Sequence, residues 1–239
     1  MYSQRDLANF FQNAQEQYES YYITYEKNLK RFFQKVLFEY KLYKKVKREI
    51  DRYLSTDFNF IDIISPDENK ISTLLKILLE PNGIHGQGSL FLELFLKQLK
   101  DLSKRDLFCS TESVVIATEK STDENRRIDI VIEFNDFIIA IENKPWADEQ
   151  DEQLEAYYNY LERRKKDFLL IFLAGTKRDP ISISQKHKNS DNFFNTTYKE
   201  LLVPWLKECY KNCESQKMKF FVKDFQEWIE RNFKEMEEF

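Results

Sequence analysis

Apolar residues recur at intervals of three and four from Leu7 through Phe11, Ala14, Tyr18, Tyr21, Tyr25, Leu29, Phe32, Val36, Tyr40, Tyr43, Val46 and Ile50 to Leu54, and neither Pro nor Gly occurs before Pro66. That spacing puts them on one face of an α-helix of seven turns or more. Drawn straight, the helix would reach roughly 70 Å at 1.5 Å per residue, which predicts either a break or a projection into a partner. The seam is aromatic and poor in Leu and Ile, a bad match to a regular two-stranded coiled coil. Packing on the chain's own body and an irregular dimer interface both stay open.

Beyond Ser65-Pro66-Asp67 the pattern shortens. A helix is predicted over 69–79, with Asp67 as its cap, Glu68 in its first turn and Pro81 as its stop. A second amphipathic helix follows over 90–102, then a strand over 113–119. Residues 127–144 alternate with the two-residue period of strands about Asn135-Asp136, a dipeptide suited to a tight hairpin turn because both residues tolerate positive φ. Asp148 can cap a helix running to about Arg164. Phe168-Leu-Leu-Ile-Phe-Leu-Ala174 reads as a strand buried on both faces, parallel to the strand before it through a right-handed crossover. Two more helices are expected over 198–210 and 221–233. The predicted architecture is an α/β domain over 56–239, with a mixed central sheet of four or five strands flanked by helices, preceded by a helical extension over 1–55.

The hairpin carries the candidate chemistry. With a two-residue turn, Phe134 faces Phe137, facing residue numbers sum to a constant, and Asp129 comes opposite Glu142. Lys144 and Arg127 join them on that side by the two-residue period. Ile128, Ile130, Ile132, Phe134, Phe137, Ile139 and Ile141 form the other, wholly apolar face. Two facing carboxylates repel unless a cation neutralises them. An ammonium ladder in water is one solution; a divalent ion with hard oxygen ligands, Mg²⁺ or Mn²⁺, is the other. In the second case Lys144 would sit where it could orient an attacking water or neutralise a phosphate oxygen.

Composition narrows the setting. The chain has 239 residues, a charged fraction of 33% and no apolar run long enough for a membrane span. It opens without a basic and then apolar leader, and its three cysteines have no framework spacing, so a reducing cytoplasm is expected. Cys209 and Cys213 lie one helical turn apart but lack the further ligands a zinc site needs. A net charge of −4 and a pI near 5.5 are unlike a general nucleic-acid binder, although a bound metal and local cations can supply phosphate attraction. Three of the four glycines crowd into Pro81-Asn-Gly-Ile-His-Gly-Gln-Gly88. That loop is either a tight helix connection holding His85 by hydrogen bonds, or the mouth of a site where His85 touches substrate.

The set Arg127-Ile-Asp129-Ile, Ile141-Glu142-Asn143-Lys144 and Gln150-x-x-Gln153-Leu-x-x-Tyr157 resembles the core of the PD-(D/E)xK nuclease superfamily, nearest to bacterial and phage members. The segment Glu68-x-x-x-Ser72 through Pro81-x-Gly-x-His85-Gly resembles what precedes the catalytic hairpin there. The resemblance spans roughly 59–228 and implies a restriction-endonuclease-like fold and hydrolysis of nucleic-acid phosphodiesters, DNA above all, in a role such as genome defence. It implies Asp129, Glu142, Lys144, Gln153 and Tyr157 as catalytic residues. The metal would be held by Asp129, Glu142 and the main-chain carbonyl of Asn143, with Glu68, or more weakly Glu119, as the additional acid. His85, Arg127 and Gln150 are the expected substrate contacts. Two further readings stay open: a catalytically silent subunit that binds nucleic acid or assembles complexes, and an RNA-directed nuclease. The N-terminal helix is the expected surface for self-association or a partner protein.

Overall fold

A computed structural model describes residues 4–107, 111, 113–122, 126–146 and 149–234. The chain divides into two compact units, Met1–Phe58 and Asn59–Phe239. The first is one unbroken helix, α1 (Gln4–Leu54). No break relieves its length, because nothing in it disrupts the main-chain hydrogen-bond ladder: Pro and Gly are both absent.

In the second unit, a short helix α2 (Phe60–Ile64) is capped by the Asn59 side chain, which accepts from the N–H groups of Ile61 and Asp62. Helix α3 (Glu68–Leu79) starts where Asp67 accepts the Lys70 N–H at 2.8 Å. Then come α4 (Leu90–Ser103), β1 (Val115–Ser121), β2 (Arg127–Glu133), β3 (Phe137–Lys144), α5 (Gln153–Arg163), β4 (Asp167–Ala174), a four-residue helix α6 (Gln185–Lys188) and β5 (Phe193–Thr197). A π-helical turn (Tyr198–Leu202) leads into α7 (Val203–Asn212), and α8 (Gln216–Asn232) follows. The five strands lie in the order β1-β2-β3-β4-β5. The pairs β1–β2 and β2–β3 are antiparallel, and β3–β4 and β4–β5 are parallel.

The expected fold class, a mixed sheet with helices on both sides and a long N-terminal helix, is what forms. The hairpin register is also as expected: Ile130 pairs with Ile141 and Ile132 with Ile139, and the Phe134 N–H donates to the Phe137 carbonyl. Several bounds shift. The first strand runs two residues later than expected, matching the length of β2, on which it is built. Helix α5 begins at Gln153; its expected cap, Asp148, lies outside the described residues, as does Cys109. Strand β5 and helix α2 were not foreseen.

Two buried clusters cover the sheet. The larger packs Ile130, Ile132, Ile139, Ile141, Leu169 and Ile171 against α3, α4, α7 and α8. The smaller packs Val131, Ala140, Leu170 and Phe172 against Leu154, Tyr157, Tyr158 and Leu161 of α5. Ile128 departs from the expected alternation and joins the smaller cluster, at the end of β2 where the Tyr157 hydroxyl bonds the Arg127 carbonyl. Cys209 and Cys213 are free, buried core thiols, and burial pushes the Cys209 thiol above its ordinary range.

Among the described residues, no helix is long and apolar enough to cross a membrane.

Candidate active site

The site grows out of a place where two strands part. The observed pairing of β2 with β3 ends at Ile130–Ile141. One step further, the Asn143 N–H donates to Asp129 Oδ2 at 2.7 Å, so a side-chain carboxylate stands where the ladder would otherwise continue. Asp129 is thereby fixed between the strands and 7% exposed. Burial pushes its carboxyl up to about 6, although the Asn143 N–H and the Lys144 ammonium favour the ionised form.

Glu142 is fully buried. Its Oε1 accepts from Lys144 Nζ at 2.9 Å and from Gln153 Nε2 at 2.7 Å, while its Oε2 is buried without a hydrogen-bond partner. Burial first, and the neighbouring Asp129 second, raise its carboxyl well above the usual range. Lys144 reaches across to α3, where Glu68 Oε1 accepts from it at 2.7 Å. Burial alone would lower the Lys144 ammonium; Glu142 and Glu68 outweigh it and hold the group above its ordinary value.

Helix α5 enters with Glu152 in the left-handed conformation, φ 53°, and no side-chain cap. The Gln153 amide at its first position bridges three groups: its Oε1 accepts the Gln150 N–H, and its Nε2 donates to Glu142 and to the Tyr157 hydroxyl at 3.1 Å. The one-turn spacing of Gln153 and Tyr157 is what lets them touch. Tyr157 in turn donates to the Arg127 carbonyl, and burial raises its phenol above the ordinary range.

These groups open on a cleft of about 280 Å³ lined by Glu68, Asn69, Glu119, Arg126, Arg127, Asp129, Lys144, Gln150, Gln153 and Tyr157. Arg127 pairs with Glu119 at 2.6 Å on the cleft wall. Asn143 points away from the cleft. Its amide donates to Ser72 Oγ and the Glu68 carbonyl, and its Oδ1 accepts from the buried Tyr198 hydroxyl. His85 is not brought to the cleft. Its ring is 4% exposed, stacks near Phe91 with centroids 5.0 Å apart, donates from Nε2 to the Glu80 carbonyl and accepts the Gln87 N–H at Nδ1. Both ring nitrogens are used inside the glycine-rich loop, as a tight connection holding His85 by hydrogen bonds requires.

Sequence reasoning missed Ser72 and Tyr198 as supports of Asn143, and Asn69 and Arg126 as cleft residues. The Thr197-x-x-Glu200 capping box predicts a helical turn beginning at Tyr198, but no local pattern ties that tyrosine to β3.

The donor set fits a hard divalent ion. Two carboxylates destabilised by burial, Asp129 at the cleft and Glu142 beneath it, lie beside the Lys144 ammonium, and one oxygen, Glu142 Oε2, is buried with nothing to bond. Among the described residues, no group of three or more His, Cys, Asp or Glu is assembled to hold a metal. An ion here would therefore draw on two carboxylates plus main-chain oxygen or water, the sparse protein shell typical of Mg²⁺.

A family model described as the PD-(D/E)XK nuclease superfamily matches residues 58–227. No curated protein matches the chain.

Proposed function

Because the chain belongs to the PD-(D/E)XK nuclease superfamily, which carries a nuclease-type function, we propose that it is a metal-dependent phosphodiesterase that hydrolyses nucleic acid, DNA in the first instance. The carrying observation is the pair of buried carboxylates, Asp129 lining the cleft and Glu142 fully buried beneath it on the Lys144 ammonium, with one Glu142 oxygen left without a partner. Asp129, Glu142 and the main-chain carbonyl of Asn143 would hold Mg²⁺ or Mn²⁺, with Glu68 reaching the site from α3. When bound, such an ion supplies positive charge at the phosphate and lowers the pKa of a water.

The chain's own residues supply the rest. Lys144, clamped between Glu142 and Glu68, would position the attacking water and offset charge on a phosphate oxygen. Gln153 fixes the rotamer of Glu142 and leaves its second oxygen turned free. Tyr157 ties the helix carrying Gln153 to β2. Arg127, Arg126 and Gln150 line the cleft and are the groups that can contact a phosphodiester backbone. His85 is left out of this set, being spent within its loop.

The test is nicking of supercoiled plasmid by purified protein with Mg²⁺ or Mn²⁺, wild type beside Glu142→Ala, with parallel single-stranded DNA and RNA substrates. Cleavage that EDTA stops, metal restores and Glu142→Ala abolishes is the expected result. Binding without nicking under either metal would replace the enzyme by a silent nucleic-acid-binding subunit, and cleavage of RNA alone would replace the substrate.

A further inference from the structure

Within its own unit, helix α1 presents a long, exposed apolar seam. From Leu7 to Leu54 the seam takes thirteen steps over 47 residues, averaging about 3.6 residues, the natural period of an α-helix, so it stays on one side for its whole length of about 70 Å. Its side chains are exposed along the whole run: Phe11 by 66%, Tyr21 by 70%, Phe32 by 59% and Tyr43 by 59%. Aromatic side chains can each bury on the order of 150–250 Å². A seam of this size can therefore remove on the order of 1,000 Å² per copy from water, above the roughly 800 Å² per partner of a stable interface. Patches of that size on a lone surface mark interaction sites.

Charge says what covers it. Residues 7–26 contain Glu16, Glu19 and Glu26 and no Lys or Arg, whereas residues 27–54 contain ten Lys and Arg against Glu39, Glu49 and Asp51. A parallel partner copy would set basic half on basic half and acidic on acidic. An antiparallel copy sets each acidic half against a basic half while the two seams meet. A polyanion is a poorer occupant, because it would be drawn to residues 27–54 only and would leave Phe11, Tyr18, Tyr21 and Tyr25 in the acidic half uncovered.

We propose that α1 is a self-association element that pairs antiparallel with α1 of a second copy of this chain. The pairing joins two nuclease units through their extensions, and it does not depend on the catalytic reading of the cleft.

Light scattering and sedimentation of the full chain at micromolar concentration test it. The expected mass is twice 29.0 kDa, with a dissociation constant that rises as salt is added, since attraction between opposite charges is screened. The double variant Glu19→Lys, Glu26→Lys, which reverses the two acids on the flank of the seam, should weaken the dimer severalfold at low salt. Tyr21→Ser with Tyr25→Ser, checked for helix content by circular dichroism, should abolish it. A parallel dimer would tighten with salt and ignore the charge reversal, and that outcome overturns the proposal. So does a monomer at tens of micromolar, whether or not it binds DNA through its basic half.

Discussion

The two faces of β3 are built from consecutive residues and equally hidden from solvent, yet they do opposite things. On one face Phe137, Ile139 and Ile141 pack into the larger core, and the last position, Asn143, is fully satisfied by Ser72, Glu68 and Tyr198. On the other, Ile138 and Ala140 pack against α5, and the strand then delivers Lys144 into the cleft and holds Glu142 buried beside it with one carboxylate oxygen unsatisfied. Burial by itself therefore does not separate scaffold from site. What separates them is whether the polar atoms are all paired: a satisfied buried network rigidifies, whereas an unpaired buried oxygen is a standing cost that persists where it serves a function.

The largest expected effect breaks the site face while sparing the other. Asp129→Asn keeps an oxygen to accept the Asn143 N–H, so the fold should hold while metal-dependent cleavage falls by about 10³ or more. The same variant should alter stability with pH. Folded Asp129 keeps its proton up to about 6, whereas the unfolded chain releases it near 4. Between those values the folded state binds more protons, so raising the pH favours unfolding. The metal-free wild type should lose on the order of 2 kcal/mol across that window, and Mg²⁺ should restore it. Asp129→Asn should remove this share of the loss, leaving the share that buried Glu142 contributes with the same sign, and should respond less to Mg²⁺. Urea melts at stepped pH with and without metal check both parts, and a wild-type profile indifferent to metal would remove Asp129 from the ion site.

A middle-sized effect lies where the two faces share one support. An added Cβ at Gly175 would overlap the Pro145 carbonyl oxygen and press on Phe233, and the Gly175 N–H bonds the Lys144 carbonyl at 3.1 Å. Gly175→Ala should cost about 1–3 kcal/mol by overpacking and, by shifting Lys144, lower kcat as well. Chemical denaturation and single-turnover cleavage separate the two losses.

The smallest effect sharpens the contrast from the core side. Tyr198→Phe removes the donor to Asn143 Oδ1 at a fully buried position. It should cost about 1–3 kcal/mol of stability and change kcat only a few-fold. A loss of cleavage as large as that of Asp129→Asn would mean that the core face sets the chemistry too.

Much of this is legible in the residues alone. The Asn135-Asp136 turn fixes the register, and the register fixes which side Asp129, Glu142 and Lys144 share; the three-and-four spacing of α1 marks it as helical but leaves a break open, and only the structure shows it continuous. What escaped is what local spacing cannot encode. Strand β5, Phe193-Phe-Asn-Thr-Thr197, is five residues without alternation and takes its structure from β4. Asn143 gets its partners from Ser72 and Tyr198, 71 and 55 residues away in the chain. His85 sits in a loop whose glycines suit a ligand cradle and a tight connector equally, and only the positions of Glu80 and Gln87 decide between them. Glu119 adopts φ 53° in the middle of β1, a local twist that no propensity for glutamate foretells.

The hairpin's connection holds a parity constraint on how this lineage can drift. Adding one amino acid between Phe134 and Phe137 would slide the partner strands by one position, and a slip of one exchanges inside for outside at every residue. The acid of the slipped strand would then turn into the hydrocarbon layer, and an isoleucine would take its place beside the acid of the other strand. Loop growth at that point is tolerable only in steps that preserve even spacing or absorb the extra residue in a bulge, so length at this one turn is under tighter control than its exposed position suggests.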